Sequence, residues 1–296
     1  MLSYRHGFHA GNHADVLKHF VLLQILDYLN QKEAAYMVVD THAGAGLYSL
    51  DSGFAAKTSE FQTGIARLWG RKDVPAELQS YLDVVASLNP NGQLKHYPGS
   101  PYFVEQMMRE QDRLRLFELH PTESKVLQDN CLQLEEAARQ QGRRNSVRGK
   151  PIIVTKQDGF DGMKGLLPPP SRRGLVLIDP SYEIKEDYKR VKSSLEDALK
   201  RFPTGVYAVW YPVLQRHEAR QFADKLKRLP CKSWLNVSLA IHGAIPDGIA
   251  LHNSGMFIVN PPWTLYNTLE KVLPYLNQVL TAGEGAGYQL EAGEND

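Results

Sequence analysis

The sequence predicts an α/β fold built on an open, mostly parallel β-sheet. Short, solidly apolar segments that stop at polar or glycine-rich stretches recur along the chain. A strand of this kind is buried on both faces, as in a parallel sheet. Amphipathic helical patterns fill most of the intervals between these segments, for example at residues 122–139 and 188–202. Alternation of strand and helix favours βαβ units and hence a parallel sheet.

The individual elements can be assigned in chain order. Asn12 before HADVLKHFVLLQILDYL predicts a capped helix, because an asparagine side chain accepts a hydrogen bond from the free N–H groups of a first helical turn. The segments expected to be strands are AYMVVD at residues 35–40, the runs that lead to Glu118, Asp158 and Asp179, GVYAVWYP at residues 205–212 and GMFIV at residues 255–259.

One interval is too long for a simple crossover between strands. Nearly seventy residues separate Gly46 from the next expected strand, near Leu114. Two helical patterns lie within this interval, and a third helix, expected to be capped at Ser100, leads back to the sheet. Residues 48–97 are therefore predicted to form a small helical insert.

These elements divide the chain into three parts. Residues 1–47 and 98–282 are expected to form the main domain, interrupted by the insert at residues 48–97. Residues 283–296 are rich in glycine and acidic side chains, a composition typical of a disordered tail.

Composition limits the classes of function that the chain can have. Hydrophobic residues make up 43% and the formal net charge is +1, so the chain as a whole has no strongly basic field for nucleic acid. Any such binding would depend on local clusters, for which the candidates are Arg143–Lys150, Ser171–Arg173 and Lys225–Arg228, although each is also typical of a solvated surface. Cys131 and Cys231 fit a reducing compartment, and no segment resembles a membrane span, so we expect a cytoplasmic protein, by default a monomer.

Polar residues at the ends of the predicted strands suggest a ligand site. In a doubly wound sheet, ligands bind beyond the carboxyl ends of the strands. The first strand leads to the loop Asp40–Gly46, where Gly44 allows a close approach of the backbone to a ligand. Glu118 could accept hydrogen bonds from ribose hydroxyls, and Asp158-Gly159 could meet an adenine amino group. Carboxylates at strand ends also cap helices, but three in consecutive strands favour a nucleoside cofactor.

The fourth strand ends in Asp179-Pro180-Ser181-Tyr182, a pattern suited to chemistry on an exocyclic amine. Such an amine is a poor nucleophile because its lone pair is delocalised into the ring. Asp179 and the carbonyl of Pro180 offer two acceptors that make the nitrogen more electron-rich, and Tyr182 offers a ring for the base to stack on. A proline-containing turn without function is the alternative.

A second segment, Asn260-Pro261-Pro262-Trp263, matches the same pattern of acceptor, proline and aromatic ring. It follows the last expected strand, which we expect to run antiparallel to the others. Its carboxyl end would therefore lie at the edge of the sheet away from the cofactor, and we interpret the segment as a structural turn.

Together these motifs resemble the class I S-adenosylmethionine-dependent N6-adenine methyltransferases, and more closely the RlmJ family, which methylates one adenine of bacterial 23S ribosomal RNA. The resemblance covers nearly the whole chain and rests on an ordered series of segments, namely MLSYRHGFHAGNHADVLKH, DTHAGAG, GIARLW, YPGSP, ELHP, DGF, PPPSRRGLVLIDP, AVWYP and NPPW. It implies a Rossmann-like methyltransferase fold with a mostly parallel seven-stranded sheet, and direct transfer of a methyl group from S-adenosylmethionine.

The resemblance also implies roles for particular residues. Asp179 would be catalytic, and Tyr4 would touch the substrate RNA, with Arg5 beside it at the mouth of the site. The residues expected to contact the cofactor are Lys18, His19, His42, Ser100, Glu118, Asp158 and Gly159. The chain departs from the family at Ser181, where a second proline is usual, which puts the rigidity of this loop in question.

Four of the ten histidines lie in the first nineteen residues. His9 and His13 have the spacing of a helical metal pair, but no HExxH glutamate accompanies them, and we expect no metal. Lys18 and His19 are instead expected to hold the methionine carboxylate of the cofactor, while the preceding residues form a lid or simply pack.

Three other functions remain open from the sequence. A DNA adenine methyltransferase would use the same strand-end chemistry, although no separate DNA-reading domain is visible. A nicotinamide-dependent oxidoreductase would require GxGxxG and an acidic residue ~20 positions further on, whereas Glu118 comes after the insert. A catalytically weakened RNA-binding protein is the third possibility, if Ser181 marks a decayed site.

Overall fold

Eight strands form one mixed β-sheet through the middle of the molecule in the computed structural model, which describes residues 5–51, 55–143, 150–214, 217–243, 251 and 253–295. Two further strands form a separate antiparallel ribbon. The strands are β1 (Met37–Asp40), β2 (Leu47–Ser49), β3 (His96–Pro98), β4 (Arg113–Phe117), β5 (Ile152–Thr155), β6 (Gly174–Ile178), β7 (Val206–Pro212), β8 (Ser233–Ala240), β9 (Asn253–Val259) and β10 (Gly287–Glu294).

The order of the strands across the sheet is β5-β4-β1-β6-β7-β9-β8-β10. The first five of these run parallel, with Val39 of β1 opposite Arg115 of β4 and Val176 of β6. Strand β9 is antiparallel to both β7 and β8, so β8 points the same way as β7. The parallel strands therefore all end at one edge of the sheet, called here the carboxyl edge, and the opposite edge is the amino edge.

Helices cover both faces of the sheet, and their bounds are α1 (His13–Asn30), α2 (Ala55–Thr58), α3 (Ile65–Leu68), α4 (Ala76–Ser87), α5 (Ser100–Met107), α6 (Pro121–Gln140), α7 (Gly159–Gly162), α8 (Glu186–Arg201), α9 (His217–Arg220), α10 (Phe222–Leu226) and α11 (Leu265–Leu280). Short 3₁₀ helices span His6–Phe8, Glu60–Thr63 and Met163–Leu166. The α/β fold and the six expected strands are confirmed.

The first helix, α1, is buried along most of its length and packs on α5 and β9. Its predicted cap is confirmed, because the side chain of Asn12 accepts a hydrogen bond from the N–H of Asp15 at 3.0 Å. Burial on nearly all sides explains why its sequence is apolar almost all round rather than along one stripe.

The region predicted to be an insert begins and ends on the ribbon of β2 and β3. Tyr48 pairs with Tyr97, and the N–H of Gly99 donates to the carbonyl of Gly46 at 2.8 Å. Between the two strands lie helices α2, α3 and α4. The division of the chain into a main domain and an insert at residues 48–97 stays a prediction.

Two expectations about local structure are wrong. The expected disordered tail at residues 283–296 is not found in its described part, because β10 pairs with β8 along its whole length and makes an eighth strand beyond the expected seven. Leu290 packs against the core and Glu291 forms an ion pair with Lys227 at 2.7 Å, so tertiary contacts override the glycine-rich composition. Ser100 does not cap α5, whose N-cap is Gly99, since its hydroxyl donates to Asp40 instead.

The turn after β9 lies where the sequence predicted. Because β9 is antiparallel to β7, Asn260 lies at the amino edge, and its amide donates to the carbonyls of Pro203 and Gly205 at 2.8 Å each. These bonds hold the start of β7, so the interpretation of this segment as a structural turn is confirmed. Within the described ranges, no helix has the length and apolar character that a membrane crossing requires.

Candidate active site

A cavity of about 300 Å³ opens at the carboxyl edge of the sheet. Its walls come from α1, from the loops after β1, β4, β5 and β6, and from the first turns of α5 and α8. The residues predicted from the sequence that line it are Lys18, His19, His42, Gly44, Ser100, Glu118, Asp158, Gly159, Asp179 and Pro180. The fold therefore gathers these residues in one place, and their individual roles stay predictions.

The glycine loop and Glu118 form a prepared acceptor site. The carboxylate of Glu118 accepts hydrogen bonds from the main-chain N–H of Gly44 at 2.9 Å and of His120 at 2.7 Å. Burial nevertheless raises the pKa of Glu118 above its usual value. Gly44 has a φ of +59°, and a Cβ there would lie 2.3 Å from the hydroxyl of Tyr48, so only glycine fits. Both carboxylate oxygens are thus fixed, with lone pairs left for a ligand.

Asp40, at the end of β1, lies under the cavity and was not singled out from the sequence. It is fully buried, and its carboxylate accepts from the hydroxyl of Ser100 at 2.6 Å and from the N–H of His42 at 3.2 Å. Burial raises the pKa of Asp40 to about 6. The residue fixes the two lining residues that it contacts, and an acid at the end of a solidly apolar strand was the signal for it.

Two histidines of the cavity wall are held neutral. Burial lowers the pKa of His42 to about 4 and lowers that of His19 well below its usual value. Nδ1 of His19 shares a hydrogen bond with the hydroxyl of Tyr97 at 2.8 Å. Its Nε2 is buried and has no hydrogen-bond partner among the described residues. An unsatisfied buried nitrogen in the wall of a cavity fits a site that a polar ligand completes.

Lys18 links the cavity to a buried group of charges on α1. Its ammonium forms ion pairs with Asp179 at 2.6 Å and with Asp15 at 2.8 Å. Burial lowers the pKa of Lys18, but the two carboxylates more than offset this and hold it above its usual value. His6 and the N–H of Gly11 also bond to Asp15, each at 2.9 Å. Asp15 was missed from the sequence because it reads as an ordinary residue of a first helical turn.

Asp158 caps a helix and also lies in the cavity wall, and its contact with a cofactor stays a prediction. It caps the short helix α7 by accepting from the N–H of Phe160 at 3.0 Å, and it also lines the cavity. Its second oxygen, Oδ2, accepts from Arg190 of α8 at 2.7 Å. Gly159 is required beside it, because a Cβ there would lie 2.0 Å from the main-chain oxygen of Thr41.

The prediction that Tyr182 offers its ring to a base is wrong for this structure. The side chain is only 1% exposed and does not line the cavity. Its hydroxyl donates to the carbonyl of Trp210 at 2.8 Å, and its ring packs against Tyr188 and Phe222. The backbone reaches this position with a φ of +52°, which turns the side chain into the core instead of towards Asp179.

The stretch before α1 contributes His6 to the cavity wall. Tyr4 lies outside the described residues, and Arg5 does not line the cavity. His6 does line it, and His9 shares hydrogen bonds with Glu60 at 3.0 Å. The described ranges hold no group of three or more His, Cys, Asp or Glu side chains that could bind a metal ion.

Charge is distributed unevenly between the two edges of the sheet. The carboxylates that line the cavity are Glu118, Glu123, Asp158, Asp179, Glu183 and Asp187. The lining cations other than histidine are Lys18 and Arg190, so the cavity suits a ligand that carries positive charge.

The described residues of the three basic clusters, which the sequence offered as candidates for binding nucleic acid, do not line the cavity. The described residues of Arg143–Lys150 precede β5, Ser171–Arg173 precedes β6 and Lys225–Arg228 precedes β8. Because these strands all run towards the cavity, the clusters lie at the amino edge. Part of the charge there is structural, since Arg173 donates to the carbonyl of Leu29 at 2.8 Å near the end of α1.

Two features define a Rossmann-like methyltransferase fold. The antiparallel strand β9 lies between β7 and β8, which run the other way, and a site of nucleoside size opens at the carboxyl edge of the sheet. A family model described as "RsmJ: Ribosomal RNA large subunit methyltransferase D, RlmJ" matches residues 33–291. The chain belongs to this family, as its resemblance suggested.

Relatives support this assignment over almost the full length. The chain is 45% identical to a protein of Escherichia coli (strain K12) named "Ribosomal RNA large subunit methyltransferase J", covering 96% of both chains. It is 42% identical to a Haemophilus influenzae protein of the same name, covering 97% of this chain and 96% of the relative. A crystal structure of a Legionella pneumophila protein superimposes with a TM-score of 0.83 at 36% identity, covering 96% of this chain and 98% of the other.

Proposed function

We propose that this protein transfers a methyl group from S-adenosylmethionine to the N6 amino group of one adenine in 23S ribosomal RNA. The names of the two curated relatives support the substrate class. The observation that carries the reaction type is that Asp179 and Pro180 line the same cavity as Glu118 and the glycine loop. Acceptors for an amine and a site for a nucleoside are therefore within reach of each other.

The residues present fit the cofactor. When bound, S-adenosylmethionine supplies an electrophilic methyl group on a positively charged sulfur, and the acidic lining of the cavity suits that charge. Glu118 would accept from the ribose hydroxyls, and Asp158 would accept from the adenine amine. His19, whose Nε2 has no partner in the described part of the chain, would bond to the methionine end together with Lys18 and Ser100.

Asp179 and the carbonyl of Pro180 would hold the N6 group of the target adenine. The Lys18 ammonium lies 2.6 Å from Asp179 and fixes the carboxylate as an oriented acceptor. Most of the rate would then come from orientation and from fixed acceptors rather than from a strong base. The methylated nitrogen would lose its proton to Asp179 or to water. Tyr4 and Arg5 would contact the RNA.

The experiment uses methyl-labelled S-adenosylmethionine with unmodified 23S ribosomal RNA, and genomic DNA in parallel, followed by digestion to nucleosides. We expect labelled N6-methyladenosine from the RNA only. Label in DNA only would show that the proposed RNA substrate is wrong. No label in RNA or in precursor ribosomal particles, despite cofactor binding, would indicate a weakened RNA-binding protein. Tight binding of NAD without S-adenosylmethionine would overturn the reaction type.

A pair of matched variants tests the role of Asp179. Asp179→Asn keeps the shape of the side chain but removes the charge, and we expect it to lose methyl transfer by at least about a hundredfold while still binding the cofactor. Asp161→Asn is the control, because Asp161 is an exposed carboxylate on α7 that forms an ion pair with Lys164. Equal losses in both variants would contradict the role.

The remaining parts of the proposal concern the cell and the RNA. We propose that the protein acts as a cytoplasmic monomer, which light scattering of the purified chain would test. The insert at residues 48–97 is proposed to contact RNA near the target. An RNA footprint that leaves these residues unprotected would contradict this contact.

A further inference from the structure

Arg190 forms part of the cavity wall beside the acid expected to bind the adenine of the cofactor. It lies in the second turn of α8, and its Nη2 donates to Oδ2 of Asp158 at 2.7 Å. Its guanidinium lies 4.5 Å from the ring centre of Phe160, the residue that follows the Asp158-Gly159 pair. One side chain therefore contacts both the carboxylate and the ring next to it.

These contacts fix the direction of the Asp158 carboxylate from two sides. Oδ1 accepts from the N–H of Phe160 at 3.0 Å while Oδ2 accepts from Arg190. Each carboxylate oxygen has two lone pairs, so one on each oxygen remains for a ligand. Without Arg190 the carboxylate would keep only the hydrogen bond from Phe160, and its second oxygen could rotate away from the cavity.

The ion pair is poorly explained as a device for stability. The side chains of Arg190 and Asp158 are 40% and 27% exposed, and ion pairs with this much access to solvent typically add little to stability. Asp187, one turn earlier on α8, also lines the cavity; burial raises the pKa of this acid, and the charge of Arg190 opposes that effect. A planar group stacked on a ring is well suited to hold a carboxylate in one orientation.

We propose that Arg190 is a positioning residue that aims Asp158 at the exocyclic amine of the cofactor and so makes the site selective for a 6-aminopurine. This inference rests on the proposed use of S-adenosylmethionine. It adds a residue of α8 to a recognition site that the strand-end pattern assigned to Asp158-Gly159 alone. Arg190 would act through the carboxylate and would not itself need to touch the base.

The test compares two ligands in calorimetric titrations of the full-length protein. The first is S-adenosylhomocysteine, and the second is its analogue in which the purine carries hydrogen instead of the amino group at C6. We expect the wild type to prefer the first by about tenfold, the value of one hydrogen bond to a charged group. In Arg190→Met we expect the preference to fall to about twofold, because the carboxylate is no longer aimed.

Two further variants separate positioning from general damage. Lys189→Met removes an exposed cation at the preceding position of α8 and should keep the full preference. Arg190→Lys keeps the charge but loses the planar fork, and should give a preference between those of the wild type and the methionine variant. Thermal unfolding of each variant checks that the fold is intact.

The possible results are distinguishable. If Arg190→Met lowers the affinity for both ligands by the same factor, the arginine only supports the wall of the cavity and the inference is overturned. Tighter binding of S-adenosylhomocysteine by this variant would overturn it as well, because the ion pair would then compete with the amine. If the wild type binds neither ligand, the proposed cofactor itself is wrong, and the inference falls with it.

Discussion

Replacing Lys18 with methionine tests whether the buried charges beside the cavity act as a unit. Lys18 is 5% exposed, Asp15 is 2% exposed and Asp179 is 15% exposed, measured on the side chains. Methionine keeps most of the volume of lysine but has no charge, so the variant leaves two nearby carboxylates without their shared counter-ion. We expect lower stability and, because Asp179 is no longer held, slower methyl transfer.

The magnitude follows from the burial of the three groups. Removing one partner of a buried ion pair typically costs about 3 to 5 kcal/mol, because the remaining charge stays in a poorly solvated place. His6 still contacts Asp15 at 2.9 Å and offsets part of this loss, so we expect about 3 kcal/mol. Asp15→Asn combined with Lys18→Met removes the more buried of the two unpaired carboxylates and should recover at least about 1 kcal/mol.

The assay is urea denaturation at pH 7, and the chain offers a matched control. Asp161 and Lys164 form an ion pair at 2.7 Å with the same spacing of three residues as Asp15 and Lys18, but their side chains are 61% and 43% exposed. Lys164→Met should therefore cost less than about 1 kcal/mol.

Two results would refute this reasoning. A loss below about 1 kcal/mol in Lys18→Met, similar to the control, would mean that water or a rearrangement replaces the ammonium at no great cost. A double variant that is less stable than Lys18→Met alone would mean that the Asp15 carboxylate stabilises the fold without the lysine.

Three further variants have defined outcomes. Burial lowers the pKa of His42 from 6.5 to about 4, so the unfolded chain binds more protons in this window and the fold loses stability as the pH falls through it. When the pH is lowered from 7 to 5, the free energy of unfolding measured in urea should fall by about 1 to 2 kcal/mol less in His42→Asn than in the wild type. An equal fall in both proteins would contradict this. Tyr182→Phe should cost about 1 kcal/mol without changing the affinity for S-adenosylhomocysteine, because its hydroxyl bonds inside the core; weaker binding in titration would argue for a ring that reaches the cavity. Gly159→Ala should cost about 1 to 3 kcal/mol in thermal unfolding through contact with Thr41, whereas Gly165→Ala, with no heavy atom within 4 Å of its Cβ, should be nearly neutral.

The sequence was most informative where one physical rule governs position. Short strands that alternate with helices along the chain form a parallel sheet, so the residues after β1, β4, β5 and β6 had to meet at one edge. This is why the sequence alone could place Glu118, Asp158 and Asp179 close together. The order of strands also explains why Asn260 lies at the other edge.

Side-chain direction could not be read in the same way. Tyr182 follows Asp179 closely, and its spacing suggests a ring in the cavity, but one left-handed residue sends it into the core. Asp15 looks like a solvated residue of a first helical turn until α1 is buried and Lys18 needs a counter-charge. Both outcomes depend on packing between elements distant in sequence.

The sequence did not predict strands β8 and β10, which lie side by side at one end of the sheet. Strand β8 contains Asn236 and Ser238, polar residues whose burial depends on partners such as the hydroxyl of Tyr211, 2.7 Å from Asn236. Strand β10 is half exposed and rich in glycine and glutamate, so its composition resembles that of a loose tail. In both, pairing with a neighbouring strand decides the structure more than the residues themselves.

The ribbon of β2 and β3 has a consequence for how this protein can change. It joins the ends of the segment at residues 50–95 directly beside the glycine loop, where Gly99 bonds to Gly46. The entropic cost of closing a loop grows only slowly with its length. Segments of different moderate lengths could therefore connect β2 to β3 while the glycine loop stays in place. Changes in the length of this segment can therefore leave the glycine loop in place where they spare the hydrogen bonds of Ile65 to Gly11 and of Tyr81 to Tyr97, which join the segment to the core.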